Sequence, residues 1–130
     1  MWKALIGSLL LAGLSACAQK PDLQLNPAEW NFGSIPSYLV AKKEIEIRNR
    51  GARPVSLRLL STCDCLYVLR APTELKAGQT APIELAYDPQ DQSGFVEAAL
   101  IVVARRRRAE SRSAIRVYGK VLPAGGKPAQ

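Results

Sequence analysis

Two cysteines one residue apart, Cys63-Asp64-Cys65 within "STCDC" (61–65), are the side chains in this chain most able to do chemistry. Thiols at that spacing can close on each other, exchange electrons, or hold Cu(I) or Zn(II) through two thiolates. In a fully extended strand the Cα atoms of residues i and i+2 stand roughly 6.6–7 Å apart, at the limit of a disulfide's reach. Closure therefore calls for a turn, and Asp64 tolerates the backbone conformation that such a turn requires. The ring would be small and labile, which suits a redox pair. A soft-metal site at Cys63 and Cys65 would need further ligands. The chain contains no histidine, and its one methionine is Met1, so they would have to come from Asp64, water or a second molecule. The plainest reading is a quiet disulfide, or two small apolar-like side chains closing one end of the fold.

A second constellation is "RRRR", Arg105, Arg106, Arg107 and Arg108, with Arg112 and Arg116 following. Clustered guanidinium groups make an anion-binding tip suited to acidic headgroups or an acidic polymer. The competing reading is a solvated turn whose charges keep a sheet edge from aggregating. The net charge of +7 and a pI near 9.7 agree with either. The absence of histidine excludes His-based triads and Cys₂His₂ zinc sites. Asp64, Asp88 and Asp91 lack the spacing of a calcium loop. No glycine-rich phosphate loop or Gly-x-Ser-x-Gly elbow is present. No catalytic residue and no cofactor is expected, and the chain reads as a non-enzyme.

The third cysteine belongs to the amino terminus. Met1-Trp2-Lys3 is a short basic start, and Ala4 to Leu14 ("ALIGSLLLAGL") is an uncharged apolar run. That run is shorter than the ~20 residues a transmembrane helix needs and has the layout of an export signal. Leu14-Ser15-Ala16-Cys17 resembles the lipobox of bacterial lipoproteins. The resemblance implies a diacylglyceryl group on the Cys17 thiol, cleavage before it, and acylation of the new amino terminus. Position 18 is Ala rather than the Asp that resembles an inner-membrane retention signal. The expected location is therefore the outer membrane, facing the periplasm. An exported chain makes nucleic acid an unsuitable partner despite the charge.

Positioning these groups is the task of strands. "KEIEIRN" (43–49) alternates with Ile45 and Ile47 on one face, "PVSLRLL" (54–60) turns Val55, Leu57 and Leu59 inward, and "PIELAY" (82–87) does the same with Ile83, Leu85 and Tyr87. "LQL" (23–25), "AEWNFG" (28–33) and "LYVLR" (66–70) read as further strands. "FVEAALIVVA" (95–104) and "SAIRVYGKV" (113–121) read as a closing hairpin with the arginines at its turn. "ELKAGQT" (74–80) reads as a loop and "DPQDQSG" (88–94) as a turn. No stretch keeps a helical period. The expected fold is all-β, an immunoglobulin-like sandwich of about seven strands. The expected organisation is a signal peptide (1–16), a lipidated tether (17–22), the sandwich (23–122) and a flexible tail (123–130).

Several short motifs occur in order along the sandwich. They are Trp30-Asn31-Phe32-Gly33-Ser34-Ile35, Asn49-Arg50-Gly51, Ser61 to Leu66, Leu75-Lys76-Ala77-Gly78, Tyr87 to Gly94, and Val117-Tyr118-Gly119-Lys120-Val121. Together they resemble the bacterial DUF1573 domains, which are similar to Hydin- and PapD-type Ig-like modules. The departures lie at the cysteines, where Asp64 replaces the family's Gly and Leu66 its Thr. The resemblance implies an exported Ig-like domain and supplies no catalytic residues. The functional expectation is a membrane-anchored scaffold or binding module for an envelope protein or an anionic surface. The alternative is a thiol-redox or metal-handling lipoprotein using Cys63 and Cys65.

Overall fold

The computed structural model describes residues 21–123. The stretch read as a signal peptide (1–16), Cys17, the stretch read as a tether up to Lys20, and the residues beyond Pro123 lie outside the described residues. Nine strands follow in order: β1 (Leu23–Asn26), β2 (Glu29–Pro36), β3 (Ala41–Asn49), β4 (Val55–Ser61), β5 (Leu66–Arg70), β6 (Glu74–Leu75), β7 (Thr80–Tyr87), β8 (Gly94–Arg106) and β9 (Ala109–Leu122). They form a four-stranded sheet, β1-β3-β7-β5, packed on a five-stranded sheet, β2-β9-β8-β4-β6.

Alternation builds both inner faces. In β3, Ile45 and Ile47 are fully buried while Glu44, Glu46 and Arg48 are exposed. Ile83 and Leu85 of β7 join them from the same sheet; Leu100 and Val102 of β8 and Ile115 and Val117 of β9 face them from the other. Burying each such side chain contributes about 1.5–3 kcal/mol, enough in sum to hold two sheets together.

The strand count exceeds the expected seven for two local reasons. The first edge strand crosses between sheets: β1 pairs antiparallel with β3, and β2 pairs parallel with β9. The crossing falls at Pro27, which has no N–H to offer either ladder; the Asn26–Pro27 peptide is cis. The second reason is β6, two residues inside the stretch read as a loop, paired to Val55 and Ser56 of β4. The closing hairpin is also longer than expected, with β8 and β9 in register from Gly94↔Val121 to Arg106↔Ala109.

The β2–β9 pairing shifts register between Asn31 and Ser34. There Gly33 takes a φ of +77°, a left-handed conformation that favours glycine. Phe32 faces inward by the same two-residue period as Trp30, its ring stacked 4.8 Å from Tyr87 and edge-on to Trp30 at 6.0 Å, and the extra residue after it returns Ile35 to the inner face. Gly119 makes room for the Phe32 ring, since a Cβ there would stand 2.4 Å from it. Burial pushes the Tyr87 phenol above its ordinary range, so it remains a neutral donor, hydrogen-bonded to Gln92 Oε1.

Candidate functional site

The cysteines sit where the chain passes from one sheet to the other. Ser61 ends β4 and Leu66 begins β5, so Thr62 to Cys65 is the crossover. Cys63 and Cys65 are joined by a disulfide, with Cα atoms 5.1 Å apart, closer than an extended strand would place them. Hydrogen bonds shape the turn. Ser61 Oγ donates to the Cys63 carbonyl at 2.7 Å, and Leu66 N–H donates to the same carbonyl at 3.1 Å. Asp88 N–H donates to the Cys65 carbonyl at 2.7 Å, and Ala99 N–H donates to Thr62 Oγ1 at 2.9 Å. Cys65 is buried in the core and Cys63 packs half-buried against it. The arrangement favours the plain reading, a disulfide that closes one end of the sandwich. Among the described residues no three His, Cys, Asp or Glu side chains gather into a metal-binding group.

Beside this turn lies a groove that sequence reasoning missed. β5 forms the edge of its sheet, and β4 is paired with β6 only at Val55 and Ser56, with Leu57 making one bond beyond them. The Leu57 N–H donates outward to Thr73, and the Thr62 N–H inward to Ala99 of β8. By the strand's two-residue period, the N–H and C=O of Leu59 therefore point to the open edge. Between the two edges lies a groove of about 570 Å³ lined by Leu57, Leu59, Val68, Leu69, Ala71 and Pro72, with Arg58 and Arg70 among its lining residues. Tyr67 and Leu69 are exposed next to it. Arg70 stands 3.7 Å from Glu44 and 3.8 Å from Glu84, exposed pairs that hold it loosely. A signal for the groove existed in "LYVLR", whose outward positions Tyr67 and Leu69 are apolar.

The four arginines share an end of the molecule and not one face. Only Arg107 and Arg108 form the turn; Arg105 and Arg106 belong to β8 and point to opposite sides, Arg105 exposed and Arg106 half-buried opposite Ala109. The strands continue past the expected boundary, and strand alternation separates the pair. Arg107 adopts a φ of +53°. Pairing of Ser56 with Arg105 and of Val55 with Leu75 brings the loop 50–54 and the segment 74–79 to this same end. Arg50, Arg53 and Lys76 are exposed there, and none of these cations is ion-paired with a described residue. Asn49 holds those loops in place. Its Nδ2 donates to the carbonyls of Arg53 (2.8 Å) and Leu75 (3.2 Å), and its Oδ1 accepts from Gly51 N–H (2.9 Å).

Two antiparallel-built sheets, with a first strand that crosses between them to run parallel to the last, define a PapD-like member of the immunoglobulin-like sandwiches. The chain belongs to the HYDIN/CFA65/VesB-like Ig-like domain family, whose model matches residues 21–120. Among solved structures it is similar to the ASH/PapD-like domain of human CEP192 (PapD-like domain 7), with a TM-score of 0.70 and 12% identity, covering 91% of this chain and 99% of that one. A Porphyromonas gingivalis W83 protein gives a TM-score of 0.63 and 23% identity over 82% of this chain and 49% of its own. The Vibrio cholerae VesB protease gives 0.60 and 13% over 78% of this chain and 32% of its own. The chain thus spans about half of the P. gingivalis chain and a third of VesB. At these identities the likeness is one of fold. No curated protein matches the chain in sequence.

Proposed function

We propose that this protein is an exported lipoprotein, held on the outer membrane by acyl groups on Cys17 and facing the periplasm, whose Ig-like domain is a non-enzymatic binding module. The observation that carries the reading is the groove between β4 and β5, where apolar side chains and unpaired backbone groups lie side by side. That combination suits an extended segment of another envelope protein. Backbone hydrogen bonds to an open edge supply affinity, and apolar side chains entering the groove supply selectivity. Arg58 and Arg70 favour acidic residues in that segment. The non-enzymatic reading rests on the lack of histidine and of any recognisable catalytic motif in the sequence.

Two measurements test the reading. A photo-crosslinking amino acid at Leu59 or Leu69 of the membrane-bound chain should yield one discrete adduct. The same probe at Glu46, on the outer face of β3, should yield none, and Val68→Asp should remove the Leu59 adduct. Equal adducts at all three positions would reject the groove as the binding site. Cys17→Ser should abolish fatty-acid labelling, and continued labelling would reject the anchor.

A further inference from the structure

We infer that the basic end of the sandwich is its membrane-facing end, docked on anionic phospholipid headgroups beside the point where the lipid anchor joins the domain. The inference rests on the reading of Cys17 as lipidated and adds an orientation that lipidation alone does not impose. The first described residue, Pro21, is pinned: its carbonyl accepts a hydrogen bond from Ser111 Oγ at 3.1 Å, and the next residue, Asp22, accepts from Arg50 N–H at 2.8 Å. Ser111 lies three residues beyond Arg108, and Arg50 opens the other basic loop. Pro21 is the fourth residue after Cys17, a reach of at most about 14 Å. The anchor therefore enters the domain between its two arginine-bearing loops.

Length then separates the two ends. The thirteen residues of β8 run the height of the sandwich, about 43 Å at the rise of an extended strand. The far end carries Asp64, Asp88 and Asp91 on its turns and exposes Tyr38, Leu39 and Phe95. A tether of about 14 Å lets the domain stand upright or lie on its side. Headgroup attraction, about fivefold in binding for each basic residue near an anionic surface, selects the upright state. At the opposite end Lys42, Lys43 and Lys120 are offset by Asp64, Asp88 and Asp91, so inversion gains no comparable attraction. In the upright state the β4–β5 groove lies on the flank and the disulfide turn points away from the membrane, both open to a partner.

The test uses the complete lipidated chain in vesicles of phosphatidylcholine alone or with phosphatidylglycerol, read by amide hydrogen exchange at residues 50–54 and 105–109. Exchange there should slow on the anionic vesicles by at least about fivefold, return to the neutral-vesicle rate at 1 M salt, and stay unchanged at 88–93. The combined change Arg50→Ser, Arg53→Ser, Arg107→Ser and Arg108→Ser should remove the effect, while Lys42→Ser with Lys43→Ser, near the far end, should keep it. The salt series needs no variant and stands even if the quadruple change disturbs folding. Equal exchange on both vesicle types, or protection at 88–93 instead, would overturn the orientation. The mass of Cys17 in the same sample separates the two readings. An acylated Cys17 without protection sinks this inference alone, and an unacylated one sinks the anchor with it.

Discussion

Asn49 carries an amide into a core otherwise built of aliphatic and aromatic side chains, and its hydrogen bonds explain why it is there. Besides the three made by its side chain, its N–H donates to the Gln79 carbonyl and its carbonyl accepts from Gly78 N–H. One residue thus gathers the loop 50–54, β6 and the loop 76–79. Alanine at this position would take this partner from the buried Leu75 carbonyl, and from the part-buried Arg53 carbonyl and Gly51 N–H as well. An unsatisfied buried group costs about 1–3 kcal/mol. Asn49→Ala should lower stability by about 2–3 kcal/mol, measured by urea denaturation. Exchange at residues 50–54 should rise as the loops loosen. A loss below about 0.5 kcal/mol, the range of ordinary surface changes, would mean that the loops hold themselves.

At the scale of the element, the Thr62–Cys65 crossover shows how a small covalent ring differs from a structural staple. Closing a loop across one residue restrains little of the unfolded chain. The loop-entropy relation gives about 1.6 kcal/mol here, against about 4.7 for a 100-residue loop. Reduction leaves both sulfurs in place and should therefore cost about 1–2 kcal/mol of unfolding free energy, measured by urea denaturation. Cys65→Ser should cost more than reduction does, because it puts a hydroxyl into a site only 1% exposed. Cys63→Ser, at a half-buried position, should cost less than Cys65→Ser. If reduction alone unfolds the chain, the disulfide is the staple and this ordering is wrong.

For the whole molecule, the question is whether two sheets unfold as one unit. Trp30 of β2 contacts Phe32, and Phe32 stacks on Tyr87 of β7, so an aromatic chain runs from one sheet into the other. Trp30 is the one tryptophan among the described residues, and it reports on that junction. Its fluorescence and the far-ultraviolet circular dichroism should follow the same urea transition, as expected of a single cooperative domain. Separate transitions would show that the sheets part before their strands melt.

Local patterning was enough to read the β architecture. Ile45 and Ile47, Ile83 and Leu85, Val55 and Leu57 face inward as their two-residue period requires, because alternation is a property of the strand itself. The Asn49-x-Gly51 turn and the glycine at 119 were also legible as motifs, although their tasks, tying loops and admitting the Phe32 ring, were not. The cysteine turn could be placed, since a disulfide across one residue demands a bend. What the sequence could not determine was every relation between segments far apart in the chain. The crossing of the first strand at Pro27 depends on which sheet offers an edge on each side. The β4–β5 groove exists because β6 stops after two residues and leaves an edge open. The splitting of Arg105 from Arg106 follows from strands that run further than their composition suggests. The meeting of Arg50 and Arg53 with Arg107 and Arg108 beside Pro21 is set by pairing across more than fifty residues. Side-chain period is a local quantity, whereas edges, grooves and the ends where charges collect are made by strand order and register, which only tertiary packing decides.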